Sequence, residues 1–201
     1  MAATSDHKWA LITGVSAGGL GDALAAELMS RGINVIATAL ELDMLDYLRP
    51  PSTGASPVAL EKLQLNVTDS TSIAAATTEA SRITNGKLDY LFNNAGYGYM
   101  MPLLDADVAA VKRNFDVNVF GLLAVTQAFF PLLREAKGVV VNQCSIAGLS
   151  ATYQPCLGSY SASKSAVAKL SDTLRVELKP FGVKVSLISP WNTSESSFNA
   201  C

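Results

Sequence analysis

Four glycines stand in the eight residues from Gly14 to Gly21, directly after the apolar run Trp9 to Thr13 and directly before a helical apolar pattern at Leu20, Leu24, Ala25, Leu28 and Met29. No other feature restricts the fold as much. A strand that turns on glycines into a helix brings its backbone close to whatever lies above the turn, and it aims the free N–H groups of the helix start in the same direction. Arg31 and Gly32 close the helix, and a second β run, Ile33 to Thr38, follows at once. Strand, helix and strand in about thirty residues make a βαβ unit, which is parallel with a right-handed crossover. The opening is half of a mononucleotide fold.

The alternation continues to the end of the chain. Lys62 to Asn66 reads as a strand, Thr71 to Arg82 as a helix and Leu88 to Phe92 as a strand running into Asn93-Asn94-Ala95-Gly96. A long helix over about Val108 to Leu133 comes next, then strand Gly138 to Asn142, helix Ser159 to Lys179 and strand Val183 to Ile188. Regular α/β alternation with β-rich runs buried on both faces points to a parallel sheet. The expected fold is α/β, a doubly wound parallel sheet of the Rossmann type in three layers, α over β over α. Its ligand crevice lies beyond the carboxyl ends of the strands. Pro50 to Pro57 is a loop too short to link domains, so residues 1–201 are expected to form one domain.

Composition removes other classes. The apolar share of 49% and charged share of 16% fit a globular chain. With a formal net charge of −2 and its cations scattered, the chain has no basic stripe for nucleic acid. No run of eighteen apolar residues occurs and Met1 to Lys8 is polar, so neither a membrane span nor a signal peptide is expected, and the reading is cytoplasmic. Cys144, Cys156, Cys201 and the single His7 lack the spacing of a metal site or a Cys/His pair.

The turn Thr13-Gly14-Val15-Ser16-Ala17-Gly18-Gly19-Leu20-Gly21 suits a pyrophosphate, with Gly14, Gly19 and Gly21 as the close contacts and Ser16 and Leu20 beside them. It resembles the Thr-Gly-x-x-x-Gly-x-Gly pattern of the short-chain dehydrogenase/reductase family. One extra residue precedes the last Gly-x-Gly pair, as in the acyl-dihydroxyacetone-phosphate reductase-like group of fungi. The resemblance covers nearly the whole chain. It implies a nicotinamide dinucleotide cofactor, with Asn66 and Val67 on the adenine side, although the family commonly has Asp where Asn66 stands. It also implies that Asn94, Ala95 and Gly96 line the ribose and that Thr193 belongs to the nicotinamide loop. NADP(H) or NAD(H) stays open: family habit favours NADP, but Leu40 stands where related reductases carry Arg, and Glu41 and Asp43 follow it.

Tyr160-Ser161-Ala162-Ser163-Lys164 starts a helix with the phenol and the ammonium one turn apart on one face. A tyrosine with an ordinary pKa of about 10 exchanges protons poorly near neutrality, and an adjacent cation is expected to bring it down. Ser145 ends the strand before that helix, where its hydroxyl can hydrogen-bond a carbonyl. By the family resemblance Asn118 completes a tetrad with Ser145, Tyr160 and Lys164, acting as relay anchor, carbonyl orienter, acid/base and pKa tuner, and Tyr160 and Lys164 also touch the cofactor.

Two departures from the family pattern keep a second function open. The stretch from Ser145 to Tyr160 is longer than usual, and Pro190-Trp191-Asn192-Thr193 replaces the family's Pro-Gly before the chain reaches Cys201 without a substrate lid or seventh strand. An uncovered sheet edge predicts a homo-oligomer. The expected activity is hydride transfer between the nicotinamide and a ketone or secondary alcohol. The small-molecule substrate is expected to be apolar, from Tyr97, Tyr99, Met100 and Met101. The alternative is the same scaffold used without redox turnover, as a cyclase, isomerase, regulator or inactive relative.

Overall fold

The computed structural model describes residues 7–50, 58–149 and 154–190. Six strands form one sheet: β1 (Trp9–Ile12), β2 (Asn34–Ala39), β3 (Leu60–Gln64), β4 (Tyr90–Asn93), β5 (Val139–Gln143) and β6 (Lys184–Ile188). Every pairing is parallel, and the order β3-β2-β1-β4-β5-β6 reverses direction between β1 and β4. Ligands of doubly wound sheets bind at such a switch point. The glycine turn that follows β1 and the Asn93-Asn94 corner that ends β4 meet there.

Helices α1 (Leu20–Ser30), α2 (Ser70–Ile83), α4 (Leu122–Ala136) and α6 (Gly158–Glu177) cover the sheet. The alternation of side chains along each strand divides the core in two. Leu11, Ile36, Leu91 and Val140 point toward α2 and α4, where they meet Ile73, Val125, Phe129 and Leu133. Their neighbours Ile12, Val35, Ala37 and Ala39 point the other way, onto Ala25 and Met29 of α1 and onto Leu45 and Leu48 after β2. Continuous apolar runs are what two-sided burial requires, and the fold is the expected three-layer Rossmann type.

One element differs from expectation. The long helix over Val108 to Leu133 is three pieces: α3 (Val108–Phe115), a π-helical turn at Asp116–Gly121, and α4. The wide turn contains Asn118, which is buried. Gly121 lies where an added Cβ would fall 2.7 Å from Val67 Cγ2 and 3.0 Å from its carbonyl oxygen, so the turn is pressed against the segment after β3. By length and apolar composition the 29-residue stretch Val108–Ala136 could cross a membrane, yet its most apolar window is 50% buried against the rest of the fold, as a core helix would be.

Candidate active site

Thr13, Gly14 and Asn94 build the floor of the crevice. Thr13 Oγ1 accepts the N–H groups of Asn94 at 3.0 Å and Ala95 at 2.9 Å, and Asn94 Nδ2 donates back to the carbonyls of Thr13 at 2.8 Å and Gly14 at 3.0 Å. The two strand ends are thus latched through both side chains. Gly14 has φ +67°, and a Cβ there would fall 2.7 Å from Ala95 Cα. No other residue tolerates both that dihedral and that approach. The N–H groups of Leu20 and Gly21, at the start of α1, have no acceptor among the described residues. Ser16 and Gly18 are exposed beside them, and a Cβ added to Gly18 would meet nothing within 4 Å. Unpaired donors at a helix start under an open glycine turn fit a pyrophosphate.

Asn66 Oδ1 accepts both the N–H and the hydroxyl of Thr68, at 3.0 and 2.8 Å, so that oxygen is engaged within its own turn. Val67 is buried against Gly121. Thr193, expected over the nicotinamide, lies outside the described residues, as does Trp191.

The four remaining residues converge at the carboxyl end of β5. Ser145 follows that strand, and its Oγ accepts the N–H of Ala147 at 3.2 Å at the start of the short helix α5 (Ile146–Leu149). The same hydroxyl is near enough to the Tyr160 phenol, in the first turn of α6, to act on its pKa. Lys164, one turn on, is buried and donates from Nζ to the Gln143 carbonyl at 2.9 Å. Its ammonium lies 5.8 Å from the centre of the Tyr160 ring. Asn118 grips the Tyr97 backbone from both ends of its amide, Oδ1 accepting the N–H and Nδ2 donating to the carbonyl, each at 3.0 Å. Nδ2 also donates to Ser163 Oγ at 3.1 Å, and that hydroxyl donates to the Tyr160 carbonyl at 2.7 Å. A Cβ placed on Gly96 would be 2.9 Å from Asn118 Oδ1 and 3.5 Å from Lys164 Nζ, so the segment after β4 touches both.

Electrostatics depart from the sequence-based expectation at Tyr160. Burial pushes the phenol above its ordinary value, against a smaller lowering by the Ser145 hydroxyl. Lys164 does not lower it here, because its ammonium is turned onto the Gln143 carbonyl. Lys164 itself is brought down to about 8 by burial, with the Cys144 thiol acting weakly in the other direction. A lysine at that value is still mostly charged at neutral pH and can trade its proton just above it.

Some contributors escape a reading by motif. Ser163 links Asn118 to α6, and Gln143 supplies a carbonyl rather than a side chain. Asn142, buried in β5, donates to Ser171 Oγ at 2.9 Å and accepts from Asn93 Nδ2 at 2.8 Å, which ties β4, β5 and α6 beneath the site. The signal for these was present in the run Asn93, Asn142, Ser171, polar residues at positions of a strand or helix that must be buried. Of the expected apolar ligand contacts, Tyr97 is exposed, whereas Tyr99 accepts the Asp107 N–H through its hydroxyl and Met101 donates its N–H to the Cys156 carbonyl.

A family model described as short chain dehydrogenase matches residues 8–200. Among curated proteins, short-chain dehydrogenase ptmH of Penicillium ochrochloron is 44% identical over 180 residues, which is 90% of this chain and 64% of that protein. The NADPH-dependent 1-acyldihydroxyacetone phosphate reductase of Schizosaccharomyces pombe is 40% identical over 184 residues, 90% of this chain and 58% of that protein. The chain therefore spans about three fifths of the length of such relatives. Among solved structures, a short chain dehydrogenase from Burkholderia cenocepacia J2315 in complex with NADP superposes with a TM-score of 0.79 at 30% identity, covering 92% of this chain and 72% of that one. An NAD+-bound xylitol dehydrogenase gives a TM-score of 0.81 at 29% identity, covering 92% and 70%.

Proposed function

This chain belongs to the short chain dehydrogenase family, and from that premise we infer that it is an NAD(P)(H)-dependent oxidoreductase acting on a ketone or secondary alcohol, with Tyr160 as the acid/base. The observation that carries the reading is the Tyr160 phenol near the Ser145 hydroxyl and the buried Lys164, at the strand end next to a glycine turn whose first helical N–H groups have no acceptor among the described residues.

The residues divide the work as follows. Leu20 and Gly21 N–H groups hold the pyrophosphate, with Gly14 and Gly19 letting it approach, and Asn94, Ala95 and Gly96 floor the ribose pocket. When bound, the nicotinamide supplies or accepts the hydride. Ser145 Oγ orients the substrate oxygen against the phenol. In the reducing direction Tyr160 Oη delivers a proton to that oxygen as the carbonyl carbon gains the hydride, and in the oxidising direction it takes the proton back. Lys164, poised at about 8, favours the phenolate once it turns from the Gln143 carbonyl toward the phenol. Asn118 holds Tyr97 and α6 in register and so positions Tyr160.

An apolar substrate and self-association belong to the same reading. Leu104, Phe120, Val176 and Phe181 are exposed apolar side chains, and β6 is paired only with β5 among the described residues. Light scattering of the full chain tests the oligomer.

The test of the reaction is Tyr160→Phe assayed on apolar ketones and secondary alcohols with each dinucleotide. Turnover is expected to fall by about 10²-fold or more while cofactor binding persists. Undiminished turnover by the Phe variant would remove Tyr160 from the chemistry, and with it the redox assignment.

A further inference from the structure

The two dinucleotides that this reading allows differ only at the adenosine ribose, where one carries a 2′-hydroxyl and the other a 2′-phosphate. Resting on the dinucleotide reading above, we propose that this chain selects NAD(H) over NADP(H), and that Asp22 and Leu40 set the choice.

In a doubly wound sheet that ribose lies past the end of the second strand, beside the glycine turn. A 2′-phosphate there needs an arginine, a lysine or free N–H groups, whereas a ribose diol needs an acceptor. Both walls of this region are visible. On one side β2 ends at Ala39, and Leu40 follows with 55% of its surface exposed. Gln64 Nε2 takes the Leu40 carbonyl at 2.8 Å and the Glu41 carboxylate at 3.2 Å, which holds Glu41 at the strand end.

On the other side is the glycine turn. The Gly18 N–H, which otherwise would face an anion, donates to Asp22 Oδ2 at 3.0 Å. The Tyr47 phenol, from the segment that leaves β2, lies near enough to feel the same side chain, and partial burial and Asp22 together push it up to about 12, so the phenol keeps its proton. Asp22 thus stands between the glycine turn, which holds it, and the segment after β2.

Cations do not offset it. From Thr13 to Ser30 and from Thr38 to Glu61 the sequence holds one cation, Arg49, against Asp22, Glu27, Glu41, Asp43, Asp46 and Glu61. The Arg49 guanidinium donates to the carbonyls of Asp46 and Leu48. Lys62 sits level with Ala37, within the sheet and short of its carboxyl edge. A 2′-phosphate dianion would meet carboxylates and a leucine. A 2′-hydroxyl would meet acceptors.

The experiment is a pair of binding titrations on the full chain, with NADH and with NADPH, read by the fluorescence of the reduced nicotinamide. They are repeated on Leu40→Arg, on Asp22→Asn and on the double variant. Unaltered protein is expected to bind NADH at least about tenfold more tightly, and the double variant to move the ratio of the two dissociation constants toward NADPH by about tenfold or more. A merely structural effect weakens both dinucleotides together and leaves the ratio unmoved, which would overturn the roles of Asp22 and Leu40. Leu40→Arg alters an exposed position, so it keeps the ratio measurable if Asp22→Asn disturbs the turn. Equal or tighter NADPH binding by the unaltered protein would overturn the selection itself. If neither dinucleotide binds, the oxidoreductase reading fails and the selection fails with it.

Discussion

Lys164 is a buried cation whose ammonium, among the described residues, donates to a backbone carbonyl alone, and its energetics can be measured apart from turnover. Its folded-state value of about 8 lies below the ordinary lysine value near 10.4. Below pH 8 both states are protonated, and the folded state carries the full burial penalty, roughly 3 kcal/mol. Between about 8 and 10.4 the unfolded chain holds more protons, so raising the pH favours folding, and above that range the penalty is gone. The expected result is that the unfolding free energy of the wild type rises relative to that of Lys164→Met as pH rises from 7 to 10. A constant difference across that range would mean that the ammonium is solvated. At this scale the identities of Asn118, Ser145, Tyr160 and Lys164 were legible from spacing and resemblance, but the direction of the Tyr160 shift was not. An i, i+4 pair predicts that two side chains share a face, whereas the partner each one takes depends on β5, a distant segment.

At the scale of elements, the site depends on how α5 lies on α6. Gly148 makes that contact: a Cβ added there would fall 2.5 Å from the Lys164 carbonyl carbon and 2.7 Å from both Lys164 Cβ and Ser165 N. Gly148→Ala must therefore lift α5, which begins one residue after Ser145. The variant is expected to lose about 1–3 kcal/mol of stability and to lower kcat by more than the fraction unfolded explains, since Ser145 moves from the phenol. Unaltered kcat in folded Gly148→Ala protein would show that the Ser145 position tolerates the shift. The π-helical turn at Asp116–Gly121 belongs to the same scale. Its residues suit an ordinary helix, and the sequence reads as one helix from Val108 to Leu133. What widens the turn is tertiary: Asn118 holds Tyr97 and Ser163, while Gly121 is pressed against Val67.

For the molecule as a whole, the core is two layers of side chains on one sheet, and the layer under α2 and α4 is the larger. Phe129 is its largest fully buried side chain and belongs to the same cluster as Leu11, Leu91 and Val140 of β1, β4 and β5. Phe129→Ala is expected to cost about 3–5 kcal/mol, read as a lowered denaturation midpoint with an unchanged denaturant slope. A loss under about 1 kcal/mol would mean that the layer repacks around the gap.

The sequence alone determined the α/β alternation, the six strands and the glycine turn, and by family resemblance it named the residues proposed for the chemistry. The first three follow from local periodicity or from backbone freedom at glycine, neither of which needs a partner far along the chain. Tertiary structure decided what those residues face. Asn66 turned its oxygen to Thr68, Asn118 entered a π turn, Lys164 took the Gln143 carbonyl, and Asp22 was brought between Gly18 and Tyr47. The physical reason is that hydrogen bonding and burial depend on groups that are distant in sequence and adjacent only once the strands take the order β3-β2-β1-β4-β5-β6.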